Sequence, residues 1–270
     1  MSIAGADTPT TRRANTPGSA GGPSRTVVLL HGQPGSALDW RLVAAALPAD
    51  LEVIAVDRPG YGSNPAPATG LAGNARSVLD LLDQRGIRSA TVVGHSWGGG
   101  VVLALAEQHP ERVDAAVLAA SIGPRCIMAL DRLLATPIAG PALVRPSFVL
   151  GGPWARRRLR RLVGGDAEVE ATIRANRARG VWRTFVAEQR AMIDELPGLE
   201  VGLAAITAPT LVVTGTADRV IPPATPRALA AAIPGARLEA IEGAGHTLPL
   251  RAPVALARVI VDTLARADGG

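Results

Sequence analysis

The segment Gly94-His95-Ser96-Trp97-Gly98 sets a serine between two glycines, where one apolar run ends and another begins. Ala90-Thr91-Val92-Val93 leads in and Val101 to Ala106 leads out, the pattern of a buried strand feeding a helix. A G-x-S-x-G turn closes sharply because glycine accepts backbone conformations that a Cβ would forbid. It lifts the Ser96 hydroxyl onto a strained corner at a helix N-terminus. There the helix dipole and free N–H groups can stabilise negative charge on an attacked carbonyl oxygen. The chemistry suggested is nucleophilic attack, which needs a base to take the serine proton and an acid to orient that base.

Both partners have candidates. The apolar run Pro209 to Gly215 reads as a strand and leads directly to Asp218; Arg237 to Ile241 reads as another and leads into Gly243-Ala244-Gly245-His246. Ser96, Asp218 and His246 then all lie just past strand C-termini, and in a parallel sheet those ends share one edge. Asp131 is the alternative acid, placed after an earlier strand. Upstream, the strand Thr26 to Leu30 precedes His31-Gly32-Gln33-Pro34-Gly35-Ser36. In such an arrangement the N–H groups of Gln33 and Trp97 form the oxyanion hole. His31 and His95 are expected to hold loops by hydrogen bonding, and Cys126 to be an inert buried thiol. No His, Cys and acid cluster has metal-ligand spacing, so no metal or other cofactor is expected.

With these motifs in place, the chain resembles the α/β-hydrolase superfamily, in the branch holding esterases, lactonases, cofactor-free haloperoxidases, epoxide hydrolases and haloalkane dehalogenases. The resemblance rests on HGQPGSALDW at 31–40, VDRPGYGSN at 56–64, GHSWGG at 94–99, GTADRVIPP at 215–223 and GAGHTLP at 243–249. It implies an α/β fold with a mostly parallel sheet of at least six strands, helices on both faces, and a helical cap inserted over the nucleophile. It also implies a Ser96-His246-Asp218 triad that cleaves esters or lactones of small, largely apolar compounds through an acyl-enzyme. Carbon–carbon bond hydrolysis, perhydrolysis, or a ligand-binding receptor with vestigial turnover are the alternatives. Epoxide hydrolases and dehalogenases use an aspartate nucleophile, so Ser96 departs from them. Where many relatives carry an acid a few positions after the histidine, this chain has Arg251.

Length and composition bound the rest. At 270 residues with 47% hydrophobic content the chain suits one well-buried α/β domain with an insertion, and 3% aromatics leave Ala, Val and Leu to fill it. No apolar run reaches the roughly 18 residues of a membrane helix. Residues 1–24, rich in Thr, Pro, Gly, Ser and Ala, read as a disordered tail. One cysteine allows no internal disulfide and suits a reducing cytoplasm. Partners are expected to be small-molecule substrates, with neither nucleic acid nor an integral membrane segment.

Strand–helix alternation divides the chain into a first core part at 25–121, a helical cap at 122–198 and a second core part at 199–270. Strands are expected at 26–31, 51–57, 90–95, 113–120, 209–215 and 236–242, with core helices near 39–47, 71–85, 97–108, 224–233 and 252–266. The cap suggests helices at 126–135, 154–163, 166–179 and 181–195, its first half punctuated by Pro137, Pro141, Pro146 and Pro153. It holds 13 Arg against 7 acids, densest at Arg156 to Arg161; a solvated helix face is the expected reason. Trp40, Met128, Trp154, Trp182 and Leu248 are the candidates to line an apolar substrate pocket.

Overall fold

The computed structural model describes residues 11–12, 25–150 and 180–267. The remainder of the tail, the helices expected at 154–163 and 166–179, Trp154 and the arginines at 156–161 lie outside the described residues. Six parallel strands carry the fold: β2 (Thr26–Leu30), β3 (Glu52–Val56), β4 (Ala90–His95), β5 (Val113–Ala119), β6 (Thr210–Gly215) and β7 (Arg237–Ile241). They stand in the order β3-β2-β4-β5-β6-β7. At one edge the short β1 (Thr11–Arg12) pairs antiparallel with β3, a contact that no sequence pattern announces.

The central strands are apolar without alternation because both faces are covered. In β2, Val28 and Leu30 pack into one core with α2 (Leu71–Gln84) and α3 (Trp97–Gln108). Its Val27 and Leu29 point the other way, into a second core with α1 (Arg41–Ala46) and α9 (Pro253–Ala267). Period-two geometry thus splits one run of residues between two layers, and each fully buried leucine contributes about 1.5–3 kcal/mol. Edge strand β7 differs: it alternates Arg237, Leu238 and Glu239, all partly or well exposed. Between β6 and β7 runs α7 (Ala224–Ala232), and α8 (Leu248–Arg251) precedes α9.

Between β5 and β6 the chain forms α4 (Ala129–Ala135), α5 (Ala139–Leu150) and α6 (Val181–Gly202). These helices pack on one another, and α6 also packs against α2 and α3. Two features depart from the sequence expectation. Helix α5 forms despite its prolines: Pro141 falls in the first turn, where a missing N–H costs nothing, and only Pro146 lies in the interior. Helix α6 continues past 195 and through Pro197, because Met192, Leu196 and Leu199 extend its buried stripe into the first core. Burial there outweighs local helix-breaking preference.

The layering gives a direct test on α9, whose Ile260 is fully buried while Val254 is 72% exposed. Ile260→Ala should cost about 2–5 kcal/mol in urea unfolding, and Val254→Ala should stay within about 0.5 kcal/mol. Equal losses would contradict the assigned face.

Candidate active site

At the end of β4 the backbone turns at Ser96 with φ 54° and ψ −118°, a region costly for any residue with a side chain. The surroundings hold it there. Ser96 N–H donates to the Ala119 carbonyl at 3.0 Å, while Gly99 and Ile122 N–H groups donate to the Ser96 carbonyl at 2.9 and 3.2 Å. Helix α3 also lies hard against β2: a Cβ on Gly98 would come within 2.5 Å of the Leu30 carbonyl oxygen and 2.6 Å of that of His31. Glycine at 98 is a packing requirement.

From this corner Ser96 Oγ meets His246 Nε2 at 3.1 Å, and His246 Nδ1 meets Asp218 Oδ2 at 3.0 Å. The Asp218 loop after β6 and the His246 loop after β7 bring these groups together across 150 residues of chain. Asp218 Oδ1 accepts the Val220 and Ile221 N–H groups at 2.8 and 3.1 Å. Burial pushes the Asp218 carboxyl upward, but the His246 hydrogen bond and charge, together with those two N–H donors, outweigh it and hold the carboxyl below its ordinary range. A hydroxyl, an imidazole and an ionised carboxylate in series can pass a proton from the hydroxyl and stabilise the imidazolium formed. His95 steadies the assembly, its Nε2 lying 2.9 Å from the His246 carbonyl oxygen. Trp97 follows Ser96 directly, and Gln33 follows Gly32, on which a Cβ would come within 3.0 Å of the Ser96 Cβ.

The alternative acid goes elsewhere. Asp131 caps α4, accepting the Met128 N–H at 2.8 Å and the Gln189 side-chain amide at 3.2 Å. Trp40 and Leu248, expected to line a pocket, are instead fully buried in the second core, packed with residues such as Val27, Leu29 and Val93. Met128 is 42% exposed at the start of α4, and Trp182 is half-buried on α6 with the Arg183 guanidinium 4.7 Å above its ring. Cys126 is buried, its thiol pushed up to about 11 by desolvation.

A sequence model of the alpha/beta hydrolase family matches residues 27–259. The chain belongs to that family. This hydrolase is 33% identical over 228 residues to a "2-hydroxymuconate semialdehyde hydrolase" of Pseudomonas putida, covering 80% of this chain and 78% of that one. It is 32% identical over 233 residues to "Putative carbamate hydrolase RutD" of Klebsiella pneumoniae, covering 82% and 84%. Among solved structures it superposes on a thermophilic esterase from Thermogutta terrifontis with a TM-score of 0.72, at 22% identity and 91% coverage of both chains. The last likeness is one of fold.

Sequence reasoning did not single out Arg58 of this hydrolase, which is almost fully buried. Its guanidinium is paired with the Glu188 carboxylate of α6 and donates to the His31 and Gly32 carbonyls at 2.9 and 3.0 Å. Tyr61 Oη donates to Glu188 Oε2 at 2.7 Å, and the Arg58 guanidinium stacks 4.5 Å from the Trp97 ring. The signal was present: Glu188 interrupts the helical stripe Val181, Thr184, Met192 and Leu196, where an apolar residue would fit. Next to this pair lies a cavity of about 560 Å³, lined by Leu30, Val56, Arg58, Asn74, Val78 and Val101 among others, which none of Ser96, Asp218 and His246 reaches.

The depressed Asp218 carboxyl makes stability depend on pH. The folded state binds this proton more weakly than the unfolded chain, whose Asp titrates near about 3.9. Its contribution is therefore present above that value and lost as pH falls through the lower folded value. Thermal unfolding should show Asp218→Asn less stable than wild type at pH 7, with the gap closing below about pH 4. A gap independent of pH would contradict a stabilised carboxylate.

Proposed function

We propose that the protein is a serine hydrolase of small, largely apolar esters or lactones, with Ser96 as nucleophile, His246 as general base and Asp218 as the orienting acid. The observation that carries this reading is the unbroken Ser96 Oγ, His246 and Asp218 hydrogen-bond series on a corner held at positive φ. Ser96 Oγ adds to the substrate carbonyl carbon while His246 Nε2 takes its proton. The Gln33 and Trp97 N–H groups hold the resulting oxyanion. Collapse breaks the carbon–oxygen ester bond, and the imidazolium returns the proton to the departing alkoxide. Water, deprotonated by His246, then adds to the acyl-enzyme, and a second collapse frees the acid and Ser96.

Helices α4 to α6 would cap the site and exclude water from it. Met128 and Trp182 are the described candidates to meet substrate. The single, buried thiol of Cys126 suits a cytoplasmic setting. A second reading, hydrolysis of a carbon–carbon bond, is favoured by the name of the Pseudomonas putida relative. It would use Ser96 as nucleophile and His246 as base on a hydroxy-dienoate with a terminal carbonyl, the compound class in that name.

Labelling with a fluorophosphonate probe, followed by peptide mapping, should place the adduct on Ser96. Turnover of short p-nitrophenyl esters should fall on the order of a thousandfold or more in Ser96→Ala and strongly in Asp218→Asn, but not in Asp131→Asn. An adduct elsewhere, or retention of about a tenth of the activity in Ser96→Ala, would remove Ser96 from the role. Faster turnover of a 2-hydroxy-6-oxohexa-2,4-dienoate than of any ester would favour the second reading.

A further inference from the structure

We propose that Arg58 and Glu188 are positioning residues that tie the seating of helix α6 to the shape of the oxyanion-binding loop; this rests on the serine hydrolase reading above. A guanidinium has five donors in a rigid fork, and here the fork is divided between two tasks. On one side it holds the carbonyls of His31 and Gly32, the two peptide units immediately before Gln33. On the other it grips the Glu188 carboxylate, in the middle of α6. The Arg58 N–H also donates to His31 Nε2 at 3.1 Å, so both sides of this residue fix the same loop.

Helix α6 takes two more bonds from the same neighbourhood. Gln33 Nε2 donates to the Phe185 carbonyl at 2.7 Å, and Trp97 Nε1 donates to that of Glu188 at 3.4 Å. The two residues whose backbone N–H groups are assigned to the oxyanion thus both send their side chains to α6. A displaced α6 would pull on both donors at once.

The energetics argue that this pair exists for geometry. A buried ion pair gives little net stability over well-packed apolar residues, because desolvation offsets the attraction; removing one partner alone is strongly destabilising, since it leaves a buried charge unpaired. Oxyanion donors act on the transition state far more than on bound substrate, so misplacing them lowers kcat rather than raising KM.

The deciding comparison is the paired replacement Arg58→Met with Glu188→Met, which strands no charge, beside the milder Gln33→Met. Urea unfolding should find the paired variant folded and more stable than Arg58→Met alone, though below wild type because the His31 and Gly32 carbonyls and the Tyr61 hydroxyl lose their partners. Its kcat on p-nitrophenyl esters should nevertheless fall about 10- to 100-fold with KM within about threefold, and Gln33→Met should fall about 3- to 10-fold in the same manner. Binding of a boronic acid that forms a tetrahedral adduct should weaken in parallel with kcat, while product-acid binding should not. Native-state hydrogen exchange at the Ala37 and Asp39 amides, which donate to the Asp57 carboxylate and the Ser36 carbonyl in the loop that continues from Gln33, should quicken in the paired variant, a readout independent of turnover. The inference is overturned if the paired variant keeps kcat within about twofold or places its whole loss in KM, or if those amides exchange as in wild type. If the variant proves unstable, Gln33→Met decides by the same kcat, KM and exchange criteria. Absence of fluorophosphonate labelling in the wild type would overturn the serine hydrolase reading instead, and amide exchange would still judge the loop.

Discussion

The contact on which the site depends is the close approach of helix α3 to strand β2 at Gly98. Backbone lies against backbone there, with carbonyl oxygens of Leu30 and His31 where a Cβ would stand. That approach forces the chain to turn abruptly after β4, and the turn is what places Ser96 at φ 54°. A residue in this region costs of order 1–3 kcal/mol and persists only where its surroundings over-determine it. The hydrogen bonds to Ala119, Gly99 and Ile122 do so by anchoring Ser96 to β5, to α3 and to the segment after β5. Strain at one residue is thereby carried by the three elements around it.

Strands and the Ser96, Asp218 and His246 series were legible in the sequence for a common reason. A strand buried on both faces must be an apolar run, and a residue that ends such a run near glycines must be in a loop at the sheet edge. Helix α5 was not legible, because the tolerance of Pro141 depends on where the helix begins. The true length of α6 was hidden for a similar reason: Pro197 argues for an end, and only the core beneath Leu196 and Leu199 argues against it. Trp40 and Leu248 show a further limit. Motif proximity identifies a loop, but the side of the loop on which a side chain lies is set by packing that the spacing does not encode.

Arg58 and Glu188 mark the largest gap between sequence and structure. They stand 130 residues apart, on a loop and on a helix whose register is fixed only by tertiary contacts. Neither residue is unusual alone. Together with Tyr61, Asn74 and Trp97 they make a buried polar knot. Such a knot is satisfied in only one arrangement of helix and loop, whereas apolar residues would accept several.

Among the described residues strand β7 has a neighbour on one side only, and its charged, exposed residues discourage a further strand from joining it. His246 hangs from the loop that follows this strand. Local opening of a fold is easiest where partners are fewest, so fraying of this margin would withdraw the imidazole while β2, β4 and β5 remain intact. The bond between His95 and the His246 carbonyl counters that tendency, mooring the outermost loop to the centre of the sheet. Heat would therefore silence the molecule in stages, with its chemistry failing at the rim before its interior melts.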